Sequence, residues 1–440
     1  MKYANQISEM INAFMPEALK TEQMDRFYCS DTMECRTGDK YSSPIEDILE
    51  ICQNPARQNT QNAFLLLGHQ GCGKSTELNR MSEAFVSNGY PVKTVICSLD
   101  LDLLNISNSD LFILMGESLL KVAEESNCEI DEKTLDCIMN FWAEGMEITA
   151  SQEMEAATIE SGISAGTSGV LLHLLDVFTK IKADLKYNEE TRREYRKRIS
   201  NRSSEWIDLL NHVADEISKK TGGKLPIIIF EDLDKLNPED AWKVFDNYAA
   251  SLSGMKFPVI YTFPIGLSYD SRFSAMESYF ITKTLPMIKI ETIKGEPFSE
   301  GIDVIREIVE KRTDLDLFEP DVLDKMIQYT GGSLRDLFYV INTSASRAVR
   351  RKSPTISMED ADRALEELKT SLTRRIERKD YEFLLNICGG NREVIEDKKM
   401  LLNMLEASVV LEYNGKRWHN VHPLVVQFFK DQELIKDVTP

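Results

Sequence analysis

Several features of common functional sites are scarce in this sequence of 440 residues. Its eight cysteines include no C-x-x-C pair and its five histidines are dispersed, which argues against a disulfide framework and a zinc site. No apolar run approaches the roughly 20 residues that cross a membrane, and the first residues lack the apolar core of a secretory signal. We therefore expect a cytoplasmic protein in a reducing compartment, without a membrane partner.

Basic residues are also fewer than acidic ones. The sequence has 52 Lys and Arg against 72 Asp and Glu, so its formal net charge is −20 at pH 7. Phosphate contacts dominate affinity for nucleic acid, so this balance disfavours nucleic acid as the main partner. The acidic excess is uneven, because residues 345–440 are close to neutral and the first three quarters of the chain carry the excess.

A phosphate-binding pattern stands out against this background. Residues 68–75 match G-x-x-x-x-G-K-[ST], with an apolar run of strand length at 63–67 before them and a helical pattern after them. Backbone N–H groups at such a helix N-terminus bind phosphate, Lys74 would reach the β- and γ-phosphates, and the Ser75 hydroxyl would hold Mg²⁺. The predicted nucleotide-binding residues of this P-loop are Gly68, Gly71, Cys72, Gly73, Lys74, Ser75 and Thr76.

A second apolar strand, at 225–230, ends in the acids Glu231 and Asp232, which is the Walker B pattern. Such acids lie beside the P-loop, where we expect Glu231 to orient Mg²⁺ and Asp232 to act as the base that polarises the attacking water. A strand at 257–263 carries Thr262 near its end, and this hydroxyl could hold the lytic water. Further strands are predicted at 91–98 and 285–290.

Two segments flank or interrupt this core. Residues 1–62 are predicted to form a helix, an irregular segment and a helix, in which Tyr28 or Arg36 either stacks on adenine or packs without ligand contact. Residues 150–222 exceed an ordinary crossover connection and contain a predicted long helix at about 189–220. Its basic cluster is either a solvated face or a contact for a neighbouring subunit's nucleotide or for nucleic acid.

The last third is mainly helical. Gly331-Gly332 ends one predicted helix and Ser333 caps the next, which places Arg335 in its first turn. An Asn-Gly turn within residues 409–421 predicts a hairpin, and a final helix begins at His422. Helices followed by such a hairpin indicate a winged helix.

The order of these pieces resembles the AAA+ superfamily, especially the origin-recognition-like ATPases and the related STAND signal-transduction ATPases. The resemblance covers about residues 20–430 and is most specific at the P-loop, at the Walker B segment 227–234 and at residues 331–335. It implies that Arg335 is a sensor-2 arginine on the γ-phosphate and that Thr262 is sensor 1. It also implies ATP as the ligand, since no N-K-x-D guanine motif stands out.

The fold class implied is α/β, a five-stranded parallel P-loop sheet with a helical insertion, then a helical lid and a C-terminal winged helix. The expected domains are an N-terminal and adenine-side segment at 1–62, the ATPase core at 63–295 with its insertion at about 150–222, the lid at 296–370, and the winged helix at 371–440.

Two departures from the family pattern bear on activity. The acid pair is Glu231 then Asp232, whereas the commoner order is Asp then Glu, so the shorter Asp232 would act slowly and favour a switch over a fast motor. STAND proteins place a winged-helix Met-His-Asp histidine on the ADP phosphate. His422 stands at the corresponding place, but Pro423 replaces the acid, and a structural role for His422 is the alternative.

These patterns lead to three hypotheses. The first is an ATP-dependent switch, in bacterial defence or signalling, that forms a homo-oligomer or controls an effector protein. The second is a DNA-binding initiator or loader that uses the winged helix, which the basic residues within 374–379 favour and the overall acidity opposes. The third is an inert nucleotide-binding scaffold. The sequence shows no protease, nuclease or TIR-like constellation, so an effector activity would come from a partner.

Overall fold

A computed structural model describes the chain in six stretches, residues 1–39, 42–54, 61–143, 167–393, 395–413 and 417–435. Within these stretches, no helix combines the length and the apolar character needed to cross a membrane. Residues 150–166 of the predicted insertion, and the Asn-Gly turn at residues 414–415, lie outside the described residues.

The centre of the protein is a parallel sheet of five strands in the order β2-β3-β4-β1-β5, which confirms the predicted P-loop sheet. Every residue of β1, β3 and β4 is buried, because helices cover both faces. The strands are β1 (Ala63–Leu67), β2 (Val92–Ile96), β3 (Ile227–Glu231), β4 (Val259–Phe263) and β5 (Ile281–Thr284).

The position of the fifth strand corrects the sequence-based expectation. The apolar run 285–290 was expected to form it, but β5 precedes that run and pairs with β1 through residues such as Thr282 and Lys283. An edge strand is covered less completely, so its side chains need not be apolar. The run 285–290 is apolar because the lid and the C-terminal hairpin bury it, and Met287 forms a bridge with Tyr413.

Helices surround the sheet. Before β1 lie α1 (Ile7–Ala13), α2 (Thr21–Phe27), α3 (Thr32–Thr37) and α4 (Pro44–Gln53). Between β1 and β5 the described helices are α5 (Lys74–Ser87), α6 (Cys97–Asp100), α7 (Asn108–Glu125), α8 (Glu132–Ala143), α9 (Thr167–Tyr187), α10 (Glu189–Asn201), α11 (Ser203–Lys220), α12 (Pro238–Phe245), α13 (Ala249–Leu252) and α14 (Phe273–Met276). Short 3₁₀ turns are Leu103–Asn105, Leu233–Lys235 and Ile265–Tyr269.

The insertion packs onto helix α7, beside the central sheet. The single helix expected at about 189–220 is two helices, α10 and α11, which meet at Arg202. Trp206 of α11 is buried and its indole N–H donates to the carbonyl oxygen of Phe112 at 3.0 Å. Within the basic cluster, Arg196 binds Asp110 at 2.5 Å, so at least this arginine serves the packing of the insertion.

The lid and the winged helix follow. The lid consists of α15 (Ser299–Glu310), α16 (Val322–Tyr329), α17 (Leu334–Arg351) and α18 (Met358–Thr373), with a 3₁₀ turn at Leu315–Leu317. After a 3₁₀ turn at Arg378–Asp380, the winged helix contains α19 (Tyr381–Cys388), α20 (Lys398–Glu406), β6 (Val410–Tyr413), β7 (Trp418–Val421) and α21 (Pro423–Asp431). Strands β6 and β7 pair in antiparallel fashion, and we call them the wing hairpin.

Candidate functional site

A cavity of about 220 Å³ lies where the carboxyl ends of β1, β3 and β4 face the lid. Its walls come from the P-loop, the turn after β3, the end of β4, lid helices α15 and α17, and the N-terminal segment. Ligands in open α/β sheets bind at this end of the strands, so the place agrees with the motifs. Among the predicted nucleotide-binding residues, those that line the cavity are Gly71, Gly73, Lys74, Ser75 and Thr76, whereas Gly68 and Cys72 do not line it.

Lys74 is the central cation of the site. Its Nζ donates to the carbonyl oxygens of Gly68 at 2.6 Å and His69 at 2.8 Å, and pairs with a carboxylate oxygen of Asp234 at 2.9 Å. Burial alone would lower the pKa of Lys74, but the carboxylate of Asp234 outweighs it and the pKa lies above its ordinary value. The ammonium group is therefore charged and held inside the loop where a phosphate would lie.

The two Walker B acids have different surroundings. Burial raises the pKa of Glu231 to about 7, against the hydrogen bond from Ser75, which lowers it. Asp232 lines the cavity, accepts a hydrogen bond from the Ser98 hydroxyl and pairs with Lys235 at 2.7 Å. Its backbone has φ 70°, a left-handed conformation that is uncommon outside glycine and that clusters at functional sites. The structure thus brings Glu231 to Ser75 and Asp232 to the open cavity.

Thr262 lies at the cavity wall, but its hydroxyl has backbone partners. The oxygen accepts the N–H groups of Leu233 at 3.0 Å and Asp234 at 3.3 Å, and the hydroxyl donates to the carbonyl oxygen of Phe230 at 3.4 Å. These contacts hold the turn that presents Asp232 and Asp234. In this geometry Thr262 positions the acidic turn, and its predicted role with the lytic water stays a prediction.

The lid reaches the P-loop through the first turn of α17. Ser333 caps this helix by accepting the N–H of Asp336 at 3.3 Å, as the sequence predicts. Arg335 lines the cavity, donates to the Gln70 side chain at 3.3 Å, and its backbone N–H approaches the Gly71 carbonyl oxygen at 3.4 Å. The guanidinium that we expect at the γ-phosphate therefore lies beside the predicted phosphate-binding loop.

The N-terminal segment closes another side. Tyr28 lines the cavity, its hydroxyl contacts the Glu77 carboxylate at 3.1 Å, and the Arg80 guanidinium lies over its ring. Arg36 is buried and donates to the carbonyl oxygens of Cys72 at 2.6 Å and Pro286 at 2.5 Å. Arg36 thus supports the P-loop backbone, while the predicted stacking of Tyr28 or Arg36 on adenine stays untested.

The wing hairpin contacts the P-loop from the side away from the cavity. His69, inside the loop and buried, accepts the backbone N–H of Glu412 in β6 through its Nε2 at 2.8 Å. Burial and then the charge of Lys74 lower the pKa of His69 to about 3, so the ring is neutral and can accept this bond. The hydroxyl of Tyr413 donates to the Gly331 carbonyl oxygen at 2.6 Å, just before the lid helix α17.

His422 does not lie at the nucleotide cavity, where the resemblance implies that it should be. Its Nδ1 accepts the N–H of Leu424 at 3.2 Å, so it caps α21, and its Nε2 lies 3.6 Å from the carboxylate of Asp336 in the lid. His422 is fully buried and does not line the cavity. This geometry offers no support for a contact between His422 and ADP, and it makes His69 the histidine that joins the winged helix to the P-loop.

The comparisons with known proteins concern the fold. No protein-family model and no curated protein matches the chain. Among solved structures, the chain is similar to the Aeropyrum pernix ORC1 protein in complex with DNA, with 11% identity, coverage of 89% of this chain and 93% of that one, and a TM-score of 0.38. Cdc6p from Pyrobaculum aerophilum gives 13% identity, coverage of 98% and 100%, and a TM-score of 0.39.

A third similar structure is the Aeropyrum pernix ORC2 protein in ADPNP–ADP complexes, with 12% identity, coverage of 99% and 100%, and a TM-score of 0.36. The chain's own strand order, with the P-loop after β1 and the acidic turn after β3, is that of an α/β P-loop fold. At such identities and scores, the function of this chain follows from its own side chains, and the STAND resemblance remains a prediction.

The structure adds residues that the motifs do not identify. Asp234 belongs to the acidic turn but takes the P-loop lysine, Ser98 contacts Asp232, and His69 is an unspecified position of the P-loop pattern. Glu406 of α20 accepts the N–H of Gly266 at 2.8 Å, and burial raises the pKa of Glu406 to about 7. The one signal in the sequence was a polar residue at a position that the motif leaves unspecified. Such a residue does not reveal which residue it contacts.

The close approach of the lid to the P-loop leads to a prediction. Gly71 has φ 84°, and a Cβ there would lie 2.4 Å from the Cβ of Arg335. Gly71→Ala should therefore displace Arg335 and weaken binding of a fluorescent ATP analogue roughly tenfold or more, because two sources of phosphate contact are disturbed. Gly222→Ala is the matched control, since Gly222 has φ 72° with nothing within 4 Å of the added Cβ. Equal nucleotide affinity in both variants would contradict the contact.

Proposed function

We propose that this protein is an ATP-binding, slowly hydrolysing switch in which the nucleotide state controls the docking of the winged helix, and through it a homo-oligomer or a partner protein such as an effector. The observation that carries this proposal is the hydrogen bond from Glu412 of the wing hairpin to His69 of the P-loop. A nucleotide that rearranges the P-loop must alter this bond, so its free energy differs between the docked and undocked states.

The residues of the cavity fit ATP with Mg²⁺. Lys74 and Arg335 supply cations at one end, and the P-loop supplies the backbone N–H groups at the N-terminus of α5. Ser75 and Glu231 lie close enough to influence each other, so together they would hold Mg²⁺, which would neutralise part of the phosphate charge. The charge and the donor set both suit a triphosphate.

The position of Asp232 supports slow hydrolysis. Its two carboxylate oxygens contact Ser98 and Lys235, so a water molecule has to compete with these partners for the base. The carboxylate also sits on a side chain one methylene shorter than glutamate. Both features suit a protein whose bound ATP persists long enough to report a state.

The docked winged helix supports the switch over a free DNA-binding module. The Gly266 N–H binds Glu406 of α20, and a Cβ on Gly266 would lie 2.8 Å from the Leu402 carbonyl oxygen, so this helix packs directly on the ATPase core. Every described residue of the wing hairpin strands is buried. In a winged helix, the helix before the hairpin and the hairpin itself are the elements that would meet a duplex. Here the described strands of the hairpin and the apolar face of α20 are buried, while Lys398, Lys399 and Asn403 of α20 are exposed.

The first test concerns ATP binding. Lys74→Ala should abolish tight binding of a fluorescent ATP analogue, because the anion site loses its mobile cation and leaves Asp234 unpaired beside the phosphates. The melting temperature of the ligand-free variant should be recorded as the control for folding. Unchanged affinity in a folded variant would remove the proposed ATP site.

Hydrolysis gives a second prediction. Asp232→Asn should keep ATP bound and reduce turnover by roughly 100-fold or more, because it removes the proposed base and leaves the Ser75–Glu231 contact in place. Phosphate release measured beside nucleotide binding separates the two effects. If Glu231→Gln gives the ATP-bound, inactive state instead, the roles of the two acids are reversed, and if neither variant changes turnover the base lies elsewhere.

The coupling of P-loop and hairpin gives a third prediction. His69→Ala leaves the buried N–H of Glu412 without its acceptor, at a cost of about 1–3 kcal/mol, and should accelerate amide hydrogen exchange in residues 410–413. Adding ATP or ADP should change this exchange in the unsubstituted protein and much less in His69→Ala. Equal protection in all of these samples would contradict the switch.

His422→Ala is the matched control for His69→Ala. It removes the cap of α21, which should lower stability by about 0.5–2 kcal/mol with and without ADP, because His422 lies outside the cavity. A stability loss that appears only with ADP would instead support the STAND-like role for this histidine.

A second candidate function is DNA binding by an initiator or loader. The favouring observation is an exposed basic turn between α18 and α19, where the side chains of Arg374, Arg375, Arg378 and Lys379 are exposed. One of the similar structures is a protein in complex with DNA. Lys379 pairs with Glu377 at 2.7 Å and Arg375 donates to the Ala407 carbonyl oxygen, so part of this charge is used within the chain.

We expect duplex DNA to bind weakly and with strong salt dependence, because a net charge of −20 opposes the phosphate backbone and leaves only this local basic turn. Fluorescence anisotropy with a labelled duplex across a salt series measures it. Sub-micromolar affinity at physiological salt, especially if His69→Ala increases it, would favour the initiator over the partner-controlled switch.

A further inference from the structure

Besides Lys74 and Arg36, a third buried cation, Arg312, lines the cavity. Arg312 follows lid helix α15, and only 4% of its surface is exposed. Its Nη1 donates to the Ile308 carbonyl oxygen at 2.7 Å, and its guanidinium lies 4.9 Å from the centre of the Phe338 ring. Its Nε has no hydrogen-bond partner in the described part of the chain.

No carboxylate among the described residues forms an ion pair with Arg312, in contrast to Lys74, which has Asp234. Burial lowers the pKa of Arg312 to about 10, and the group is still charged at neutral pH. A buried cation with donors left over is costly unless something hydrogen-bonds it. Since Arg312 lines the cavity, the ligand is the group that can supply acceptors there.

The residues around Arg312 indicate which part of the ligand lies next to its guanidinium. Ile308 and Phe338 contact Arg312 and line the cavity, whose lining also includes the largely apolar Phe27 and Cys29. Phe338 lies three residues beyond Arg335 on α17, which separates the two by roughly 4.5 Å along the helix axis. Apolar walls with one convergent polar group are typical of a nucleobase pocket, whereas the triphosphate belongs at the P-loop end.

We propose that Arg312 is a specificity-determining residue of this site, whose guanidinium donates a hydrogen bond to a ring nitrogen of adenine while Phe338 supports its other face. This inference rests on the proposed ATP site and names the group that selects the base. A ring nitrogen of adenine supplies one acceptor, and the Nε–H of Arg312 supplies the matching donor.

Guanine fits the same pocket less well. Its N1–H and 2-amino groups need an acceptor, and the buried carboxylates of the cavity are already used. Glu77 binds Tyr28 and Arg80, while Asp234 binds Lys74. Glu17 also lines the cavity but is exposed to solvent.

The experiment uses the full chain with single-atom variants of the ligand. Affinities for ATP and for 1-deaza-, 3-deaza- and 7-deaza-ATP are measured in the unsubstituted protein and in Arg312→Met, which keeps side-chain length without donors. We expect Arg312→Met to weaken ATP binding by roughly 10- to 100-fold. One deaza analogue should bind the unsubstituted protein correspondingly more weakly than ATP, and this difference should vanish in Arg312→Met.

Stability separates ligand contact from a structural role. If Arg312 is an unpaired buried charge, its removal should leave the melting temperature of the ligand-free protein unchanged or raise it. If its guanidinium only caps α15 and packs on Phe338, the same substitution should lower the melting temperature. Arg272→Met is the control for a lost arginine–aromatic contact, since Arg272 covers Trp242 and does not line the cavity. It should not change the affinity for ATP.

Three results would overturn the inference. They are equal ATP affinity in Arg312→Met, three deaza analogues that bind both proteins like ATP, and tighter binding of GTP than of ATP. Each of these leaves Lys74-dependent triphosphate binding intact, so the base contact alone would fail. Absence of any triphosphate binding to the unsubstituted protein would instead remove the proposed function and this inference with it.

Discussion

The hydrogen bond between Glu412 and His69 is the constraint on which the arrangement of the domains depends. It joins residues 343 positions apart and places the wing hairpin against the loop that would bind phosphate. The bond requires a neutral imidazole, and burial beside the charged Lys74 keeps the ring neutral. The P-loop therefore has a ligand-facing side and a hairpin-facing side, and a movement of its backbone changes the contacts on both sides.

The lid occupies the angle between these two sides. Tyr413 of the hairpin binds the Gly331 carbonyl oxygen, and a Cβ on Gly332 would lie 1.9 Å from the Ile288 carbonyl oxygen, so this glycine pair permits close packing of lid, core and hairpin. Arg335 lies three residues after Gly332, and a Cβ on Gly71 would come within 2.4 Å of the Arg335 Cβ. Because P-loop, lid and hairpin contact one another pairwise, nucleotide contacts at Arg335 and hairpin docking share the same few residues.

Charge is distributed along the cavity in a way that matches a nucleotide. Lys74 has a carboxylate partner at the acidic end, whereas Arg312 at the apolar end has none in the described residues. An ion pair inside the P-loop keeps the lysine in place and can be exchanged for phosphate oxygens. The unpaired arginine has no such alternative, which is why its chemistry points to the ligand rather than to the fold.

The sequence by itself determined the parts whose geometry is local. Strand, glycine turn and helix are contiguous at residues 63–87, and the acids follow their strand directly, so pattern and spacing were enough to predict the P-loop, Glu231 and Asp232. Only the tertiary structure decided that β5 precedes the apolar run 285–290, because burial of that run depends on a hairpin more than 100 residues away. The same holds for the partner of His69, since hydrogen bonds between distant segments leave no periodicity or spacing in the sequence.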